Sequence, residues 1–141
     1  MKFISILLLV ISTALLTGCG GGGGTIPPVV PPTDTTGPTF VSCTAVYSYL
    51  NSNAVITANV TDASGVAAVI AYVNGGNTGI DLLHTSGSTY SGTYPNVPDN
   101  LTDVNQVYNV IVYATDNKSN VSSTQTSFTV PPLGPPPPPV L

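Results

Sequence analysis

The central part of the chain, residues 38–130, alternates apolar and polar side chains with a period of two. A period of two is typical of a β-strand with one buried face, because successive side chains point to opposite sides of the strand. Residues 55–61 show it clearly, with apolar side chains at Ile56, Ala58 and Val60. Residues 108–116 repeat it, with a predicted inward set of Tyr108, Val110, Val112 and Ala114. The pattern predicts strands throughout this part of the chain.

Clusters of Gly, Asn, Asp, Ser and Pro separate the apolar runs and predict the turns between strands. The clusters are residues 62–65, 74–77, 86–88, 95–100 and 116–120. Residues 66–73 are apolar on both faces, as expected of a central strand, and residues 124–130 predict the last strand. About seven short strands at this spacing predict an all-β fold, an antiparallel two-sheet sandwich.

Three segments resemble the bacterial Ig-like modules that are repeated in surface adhesins. They are Asp34-Thr35-Thr36-Gly37-Pro38-Thr39, then residues 56–66, and then residues 108–116, which have the form Y-x-V-x-V-x-A-x-D. The resemblance implies an Ig-like sandwich. It departs at Ser119, where the family often has Gly; because a positive φ costs Ser more than Gly, we expect this loop to be reshaped.

The N-terminus has the pattern of an export signal. Lys2 precedes an apolar run over residues 3–16, which is shorter than the roughly 20 residues that a membrane-spanning helix needs. The run ends in Leu16-Thr17-Gly18-Cys19, which resembles the lipobox of bacterial lipoproteins. The resemblance implies cleavage between Gly18 and Cys19 and attachment of acyl chains such as palmitate at Cys19. The alternative is an ordinary secretory signal with a chance cysteine.

Composition divides the chain into four parts: a signal peptide over residues 1–18, a lipidated Cys19 with a Gly/Pro-rich tether over 19–37, the sandwich over 38–130, and a Pro-rich tail over 131–141. Dense glycine and proline predict a disordered linker, which is flexible in its glycine-rich first part and extended in its proline-rich second part. The tail contains five consecutive prolines at 135–139, which predict polyproline II. A solvated tail is the favoured interpretation; the alternative is a ligand for a proline-reading groove.

Charge and reactive residues exclude several functions. Only 6% of residues are charged, and after signal removal Lys118 alone faces six aspartates, a side-chain net charge of −5. A surface this poor in cations argues against nucleic-acid binding.

The single histidine, His84, is predicted on a strand surface. Cys43 shares a predicted face with Val41, Ala45 and Tyr47, which indicates a buried inert thiol. We therefore expect no enzyme activity.

Three aspartates are predicted to meet at one end of the sandwich. Because strand direction alternates, Asp34, Asp62 and Asp116 fall at the same end, with Asn117 and Asn120 nearby. Carboxylate and amide oxygens suit Ca²⁺, but Asp and Asn are also the commonest residues of side-chain-capped turns. The sequence favours three turns and no cofactor, with a calcium site at these aspartates as the alternative.

The combined expectation is a membrane-anchored lipoprotein outside the cytoplasm that displays a non-catalytic Ig-like structural or interaction module. The alternative is an adhesive module that binds glycans or peptides through Tyr47, Tyr49, Tyr72 or Tyr113. The lipid would attach it to the membrane, and a protein or glycan partner is not specified. In enteric-type sorting an Asp after the lipidated Cys retains a lipoprotein in the inner membrane. Gly20 therefore favours the outer membrane, at the cell surface or in the periplasm.

Overall fold

A computed structural model of the chain describes residues 32–134. The predicted signal, Cys19, most of the tether and the five-proline run lie outside the described residues. Eight strands are present: β1 (Thr39–Ser48), β2 (Asn53–Thr61), β3 (Val66–Val73), β4 (Ile80–Asp81), β5 (Leu83–Ser86), β6 (Thr89–Tyr94), β7 (Gln106–Asp116) and β8 (Val121–Val130). A single 3-10 turn over Tyr49–Asn51 joins β1 to β2. Within residues 32–134, no helix is long and apolar enough to cross a membrane.

The strands form two antiparallel sheets of four. The first sheet has the order β1-β2-β6-β5 and the second has the order β4-β3-β7-β8. The predicted antiparallel two-sheet sandwich is confirmed, but the number of strands is eight rather than about seven. The extra strand arises because the chain changes sheets at Leu82. The Leu82 side chain is buried, and the Leu82 N–H donates to the Val69 carbonyl at 2.9 Å. Leu82 therefore separates one apolar run into β4 and β5.

The core lies between the two sheets and uses the predicted inward faces. β2 contributes Ile56, Ala58 and Val60, while β7 contributes Val110, Val112 and Ala114, all buried. Alternation places their polar neighbours outside, as expected for a sheet with one solvated face. The buried residues of the core cluster that the structure describes lie between Ala54 and Val130. The unit over residues 32–134 therefore contains its own core.

The first strand corrects two details of the sequence prediction. The register between β1 and β2 shifts between Phe40 and Ser42, and this irregularity turns Val41 outward, where it is 69% exposed. Phe40 packs against the core instead. Tyr47, a candidate binding tyrosine, is half-buried on the face of Cys43 and stacks on Phe128 with ring centroids 6.4 Å apart. An extra residue in one strand reverses the side of the sheet to which each preceding side chain points. The periodicity of the sequence does not reveal such an extra residue.

Cys43 is half-buried on the inner side of β1. Burial raises the pKa of its thiol. Since the thiolate is the reactive species, this environment makes Cys43 a poor nucleophile. The position agrees with a packing role for this residue.

Candidate functional site

Three loops meet at one end of the sandwich and bring three carboxylates together. Asp34 precedes β1, Asp62 follows β2 and Asp116 ends β7. One carboxylate oxygen from each residue lies within 4.8 Å of the others. The alternating direction of the strands explains this convergence, since the start of β1 and the ends of β2 and β7 lie at the same end of the fold. We call this cluster of Asp34, Asp62 and Asp116 the acidic end.

Each aspartate also caps a turn through its Oδ1 atom. Asp34 Oδ1 accepts hydrogen bonds from the N–H of Thr36 at 3.0 Å and from its hydroxyl at 2.7 Å. Asp62 Oδ1 accepts the N–H and hydroxyl of Ser64, both at 2.8 Å. Asp116 Oδ1 accepts the N–H of Lys118 at 2.8 Å. The three carboxylates are thus held rigidly by their own turns.

Asp116 is the most enclosed of the three, with 2% of its surface exposed. Its Oδ1 also accepts the N–H of Asn120, and its Oδ2 accepts the Asn120 side-chain amide, both at 2.8 Å. Burial by itself would raise the pKa of Asp116, but the hydrogen bonds from Asn120 and Lys118 outweigh it and hold this pKa below its usual value. A buried carboxylate with several donors stays ionised.

Asp34 differs from the other two because its second oxygen is both buried and without a donor. Asp34 Oδ2 is buried and has no hydrogen-bond partner. The hydrogen bonds from Thr36 lower the pKa of Asp34, while desolvation and the charge of Asp116 act in the opposite direction. A buried carboxylate oxygen without a donor is costly. A cation at the acidic end would therefore stabilise the folded state most by contacting Asp34 Oδ2.

The turn after β2 is fixed by a glycine. Gly65 has a φ of +88°, and a Cβ at this position would lie 2.7 Å from Asn117 Nδ2. That amide donates to the Ser64 carbonyl at 2.7 Å, and the Asn117 N–H donates to the Gly65 carbonyl at 3.0 Å. These bonds join the turns that carry Asp62 and Asp116. Side-chain substitution at Gly65 would therefore disturb the spacing of the two carboxylates.

The loop after β7 contains Ser119, the residue at which the sequence departs from the resemblance. Ser119 adopts the left-handed conformation, with a φ of +68°. The N–H of Ser119 donates to the Asp116 carbonyl at 3.2 Å, and the Asp116 N–H donates to the Asn120 carbonyl at 3.1 Å. Hydrogen bonds on both sides hold a conformation that is otherwise unfavourable for serine.

The spacing of the three carboxylates is compatible with one calcium ion, and they supply three of the six to eight oxygens that it takes. Ca²⁺ binds six to eight oxygens at about 2.3–2.6 Å, so ligands on opposite sides of one ion lie about 5 Å apart. The three carboxylates fall within that limit. Sequence reasoning found all three but missed Ser64, whose hydroxyl donates to Asp62 Oδ1 at 2.8 Å. Only the folded geometry reveals that contribution.

His84 is not a member of the acidic cluster. His84 is exposed on β5, as predicted, and its Nε2 lies 2.8 Å from the Gly87 carbonyl. Its ring contacts Tyr90 edge-on, with centroids 5.2 Å apart. Gly18 and Cys19, the predicted cleavage and lipidation residues, lie outside the described residues.

A second feature is an apolar groove on the outer face of the second sheet, with a volume of about 530 Å³. We call it the outer-face groove; its lining residues are Ile70, Tyr72, Gly75, Gly76, Ile111, Tyr113 and Val121. Tyr72 and Tyr113 were among the predicted binding tyrosines, and they contact each other edge-to-face at 6.0 Å. Ile70 and Ile111 were not predicted. Apolar residues on both faces of residues 66–73 were a sequence signal for Ile70 and gave none for Ile111.

Comparison with known proteins supports the fold and nothing finer. No protein-family model matches the chain, and no curated protein is similar to it. Among solved structures, dimeric latent PorU from Porphyromonas gingivalis superposes with a TM-score of 0.52 and 16% identity over 79% of this chain. The match covers 12% of PorU, so this chain corresponds to a small part of it. The twitchin kinase region from C. elegans gives 13% identity over 69% of this chain and 16% of its own, with a TM-score of 0.39.

Proposed function

We propose that the protein is a bacterial lipoprotein that carries one non-catalytic Ig-like module on a membrane anchor outside the cytoplasm. The observation that carries this proposal is the sequence Leu16-Thr17-Gly18-Cys19 directly after an apolar run. Only a thiolate at this position is nucleophilic enough to take a diacylglyceryl group as a thioether. Two or more acyl chains then anchor a protein stably. Gly20 favours the outer membrane.

The form of the module supports display rather than catalysis. Its N-terminal segment at Asp34 and its C-terminal segment at Leu133 leave from opposite ends of the sandwich, since Leu133 is bonded to Asn100 in the loop before β7. The single histidine is bonded to Gly87, and the half-buried Cys43 lies on β1. A nucleophile needs a positioned base within hydrogen-bond reach. A structural or interaction role fits these residues better than a reaction.

Cell fractionation followed by protease treatment of intact cells tests the proposed location. A membrane-bound, surface-displayed module is expected in the membrane fraction and is cleaved by external protease within the tether. A membrane-bound protein that resists external protease until the outer membrane is opened would place the module in the periplasm. Recovery in the cytosolic fraction would contradict the proposal.

A second candidate function is calcium-dependent stabilisation of the module. The observation that favours it is the buried Asp34 Oδ2 atom, which has no hydrogen-bond donor. The carboxylates of Asp62 and Asp116 lie beside it. A divalent cation at this point would offset the repulsion between the carboxylates and bind only the folded state. Isothermal titration of calcium into residues 32–134, with Asp116→Asn as the comparison, tests it. Absence of binding at millimolar calcium would leave the three aspartates as turn formers.

A further inference from the structure

Exposed apolar side chains on the strands of this protein have an ordinary explanation. Val46 lies opposite Val55 on the outer face of the first sheet, and both side chains are exposed. Valine is common on strands because a branched side chain fits the pleated surface. An exposed apolar side chain in a turn has no such reason, since turns favour Gly, Pro, Asn, Asp and Ser. The informative apolar side chains are therefore those outside the strands.

Four large apolar side chains outside the strands are exposed in residues 32–134, and all four lie at one end of the sandwich. They are Tyr49, Leu50, Leu101 and Val104. Leu50 is 93% exposed and Leu101 is 84% exposed, more than any other large apolar residue that the structure describes. We call this set of four side chains the apolar end.

The two segments that carry the apolar end are joined to each other. The Val97 N–H donates to the Ser52 carbonyl at 2.8 Å, which connects the loop after β6 to the turn after β1. Tyr94, the last residue of β6, lies opposite Ala54 near the start of β2. The acidic end lies where β2 finishes, so the apolar end is at the opposite end of the sandwich from Asp34, where the chain leads in from the predicted tether.

The loop that carries Leu101 and Val104 is built around a buried amide. Asn100 is 1% exposed, and its Nδ2 donates to the carbonyls of Val104 at 2.7 Å and Val130 at 2.9 Å. Its Oδ1 accepts the N–H of Thr102 at 3.0 Å and the Thr102 hydroxyl at 2.6 Å. A fixed backbone therefore presents Leu101 to water, and little conformational entropy would be lost when this loop makes a contact.

The charges at the apolar end select a surface without net negative charge. Asp99 and Asp103 are exposed in the same loop as Leu101. Residues 48–52 and 95–105 contain no Lys or Arg. Anionic lipid surfaces attract basic segments, so they would repel this end. A zwitterionic headgroup carries an ammonium group beside its phosphate and has no net charge that would repel the two aspartates.

The exposure of the apolar end favours lipid over a protein surface. Side chains that dominate protein interfaces lie in well-packed pockets, whereas Leu50 and Leu101 contact almost nothing else in their own module. A fluid acyl phase receives such projecting side chains without shape complementarity. Tyr49 has an apolar ring and a polar hydroxyl, which suits the boundary between acyl chains and water.

We propose that the apolar end inserts Leu50 and Leu101 into a zwitterionic bilayer that faces the anchoring membrane. With lipid at Cys19 on one side and the apolar end on the other, the module would bridge two membranes. Many anchored copies act together, so a weak contact per molecule suffices. The bridging rests on the proposed lipid anchor, but the contact itself does not, and the first test uses residues 32–134 without the anchor.

The first test places a fluorescent reporter at the apolar end. The chain contains no tryptophan, so Leu50→Trp gives residues 32–134 a single one. With phosphatidylcholine vesicles its emission should shift to shorter wavelength and be quenched by brominated acyl chains. Leu83→Trp is the matched control, because Leu83 is 70% exposed on β5, outside the apolar end, and it should show neither change. Vesicles rich in phosphatidylglycerol should produce a smaller shift.

Co-sedimentation with phosphatidylcholine vesicles measures the contribution of each leucine. Leu50→Ser and Leu101→Ser should each weaken binding roughly tenfold, as expected when a leucine no longer leaves water, whereas Leu83→Ser should not. Melting curves check that these exposed substitutions leave the fold intact. The proposal would be overturned if phosphatidylcholine vesicles changed nothing, if Leu83→Trp responded as strongly as Leu50→Trp, or if anionic vesicles bound better.

A reconstitution distinguishes a facing membrane from the anchoring one. The lipidated full chain in phosphatidylcholine vesicles should cluster added bare vesicles of the same lipid, and Leu50→Ser should abolish the clustering. Binding by residues 32–134 without clustering by the lipidated chain would place the contact on the anchoring membrane and overturn the bridging. A chain that binds vesicles but carries no lipid would instead contradict the proposed anchor and leave the contact standing.

Discussion

The side-chain amide of Asn120 donates a hydrogen bond of 3.2 Å to the backbone carbonyl of Asp34, which lies 86 positions earlier in the chain. The same amide donates to the Asp116 carboxylate at 2.8 Å. One side chain therefore holds the segment that leads into β1 against the turn after β7. This double contact sets the spacing of two of the three carboxylates at the acidic end.

Calcium should raise the melting temperature of residues 32–134. A ligand that binds only the folded state stabilises it by about 2.7 kcal/mol when its free concentration is a hundred times its dissociation constant. For a domain of this size, that corresponds to an increase on the order of 10 °C. Magnesium should do less, because it requires a tighter octahedron and keeps its waters. Melting curves in chelator and in millimolar calcium check the prediction.

Two variants show whether this calcium effect depends on the acidic end. Asp116→Asn should reduce the calcium-dependent rise, whereas Asp99→Asn should not, because Asp99 lies in the loop between β6 and β7 at the opposite end of the sandwich. Superimposable curves with and without calcium for the unmodified protein would rule out the site.

Stability should fall in acid because of Asp34 and Asp116. The folded state holds the pKa of both carboxyls below the ordinary value of 3.8. A lowered folded pKa contributes stability that is present above the unfolded pKa and is lost as the pH falls through the folded pKa. The melting temperature in chelator should therefore drop below about pH 4. Asp116→Asn should flatten this drop more than Asp103→Asn, an exposed control; equal slopes would contradict the assignment.

Asn100 should be essential for stability at the end opposite the aspartates. Its side chain is 1% exposed and donates to the carbonyls of Val104 at 2.7 Å and Val130 at 2.9 Å. Asn100→Ala removes this buried donor from the Val130 carbonyl, whereas the Val104 carbonyl can still accept from the Thr102 hydroxyl at 3.0 Å. We expect the change to cost about 1–3 kcal/mol. Asn105→Ala, at an exposed position in the same loop, should change the free energy of unfolding by less than about 0.5 kcal/mol. Urea unfolding of both variants measures the difference.

Folding should be two-state and independent of disulfides. Residues 32–134 contain one cysteine, Cys43, and domains of this size usually unfold in one cooperative step. Melting curves of residues 32–134 with and without reductant should coincide. A large decrease in melting temperature with reductant would show a cross-link between copies.

The sequence predicted most of the fold because local alternation determines which face of a strand is buried. It identified the inward residues of β2 and β7, the exposed position of His84, and the three aspartates that meet at one end. The last of these required only the rule that antiparallel strands alternate in direction. Local pattern and strand direction were sufficient for these features.

Features that depend on distant contacts were not predictable. The irregularity at Phe40 and Ser42 depends on pairing with β2, and it placed Val41 outside. The change of sheet at Leu82 depends on its bond to Val69, and it produced the eighth strand. The stacking of Tyr47 on Phe128 joins two residues that lie far apart in the chain. None of these contacts leaves a periodic signal in the sequence.

The central claim is that Cys19 anchors the protein through lipid, and metabolic labelling with palmitate tests it most directly. The full-length protein should incorporate label and lose residues 1–18, as shown by its mass, because Cys19 is the acceptor. Cys19→Ala should accumulate as an unlabelled, uncleaved precursor. A Cys19→Ala protein that is still cleaved at this position and still labelled would contradict the account.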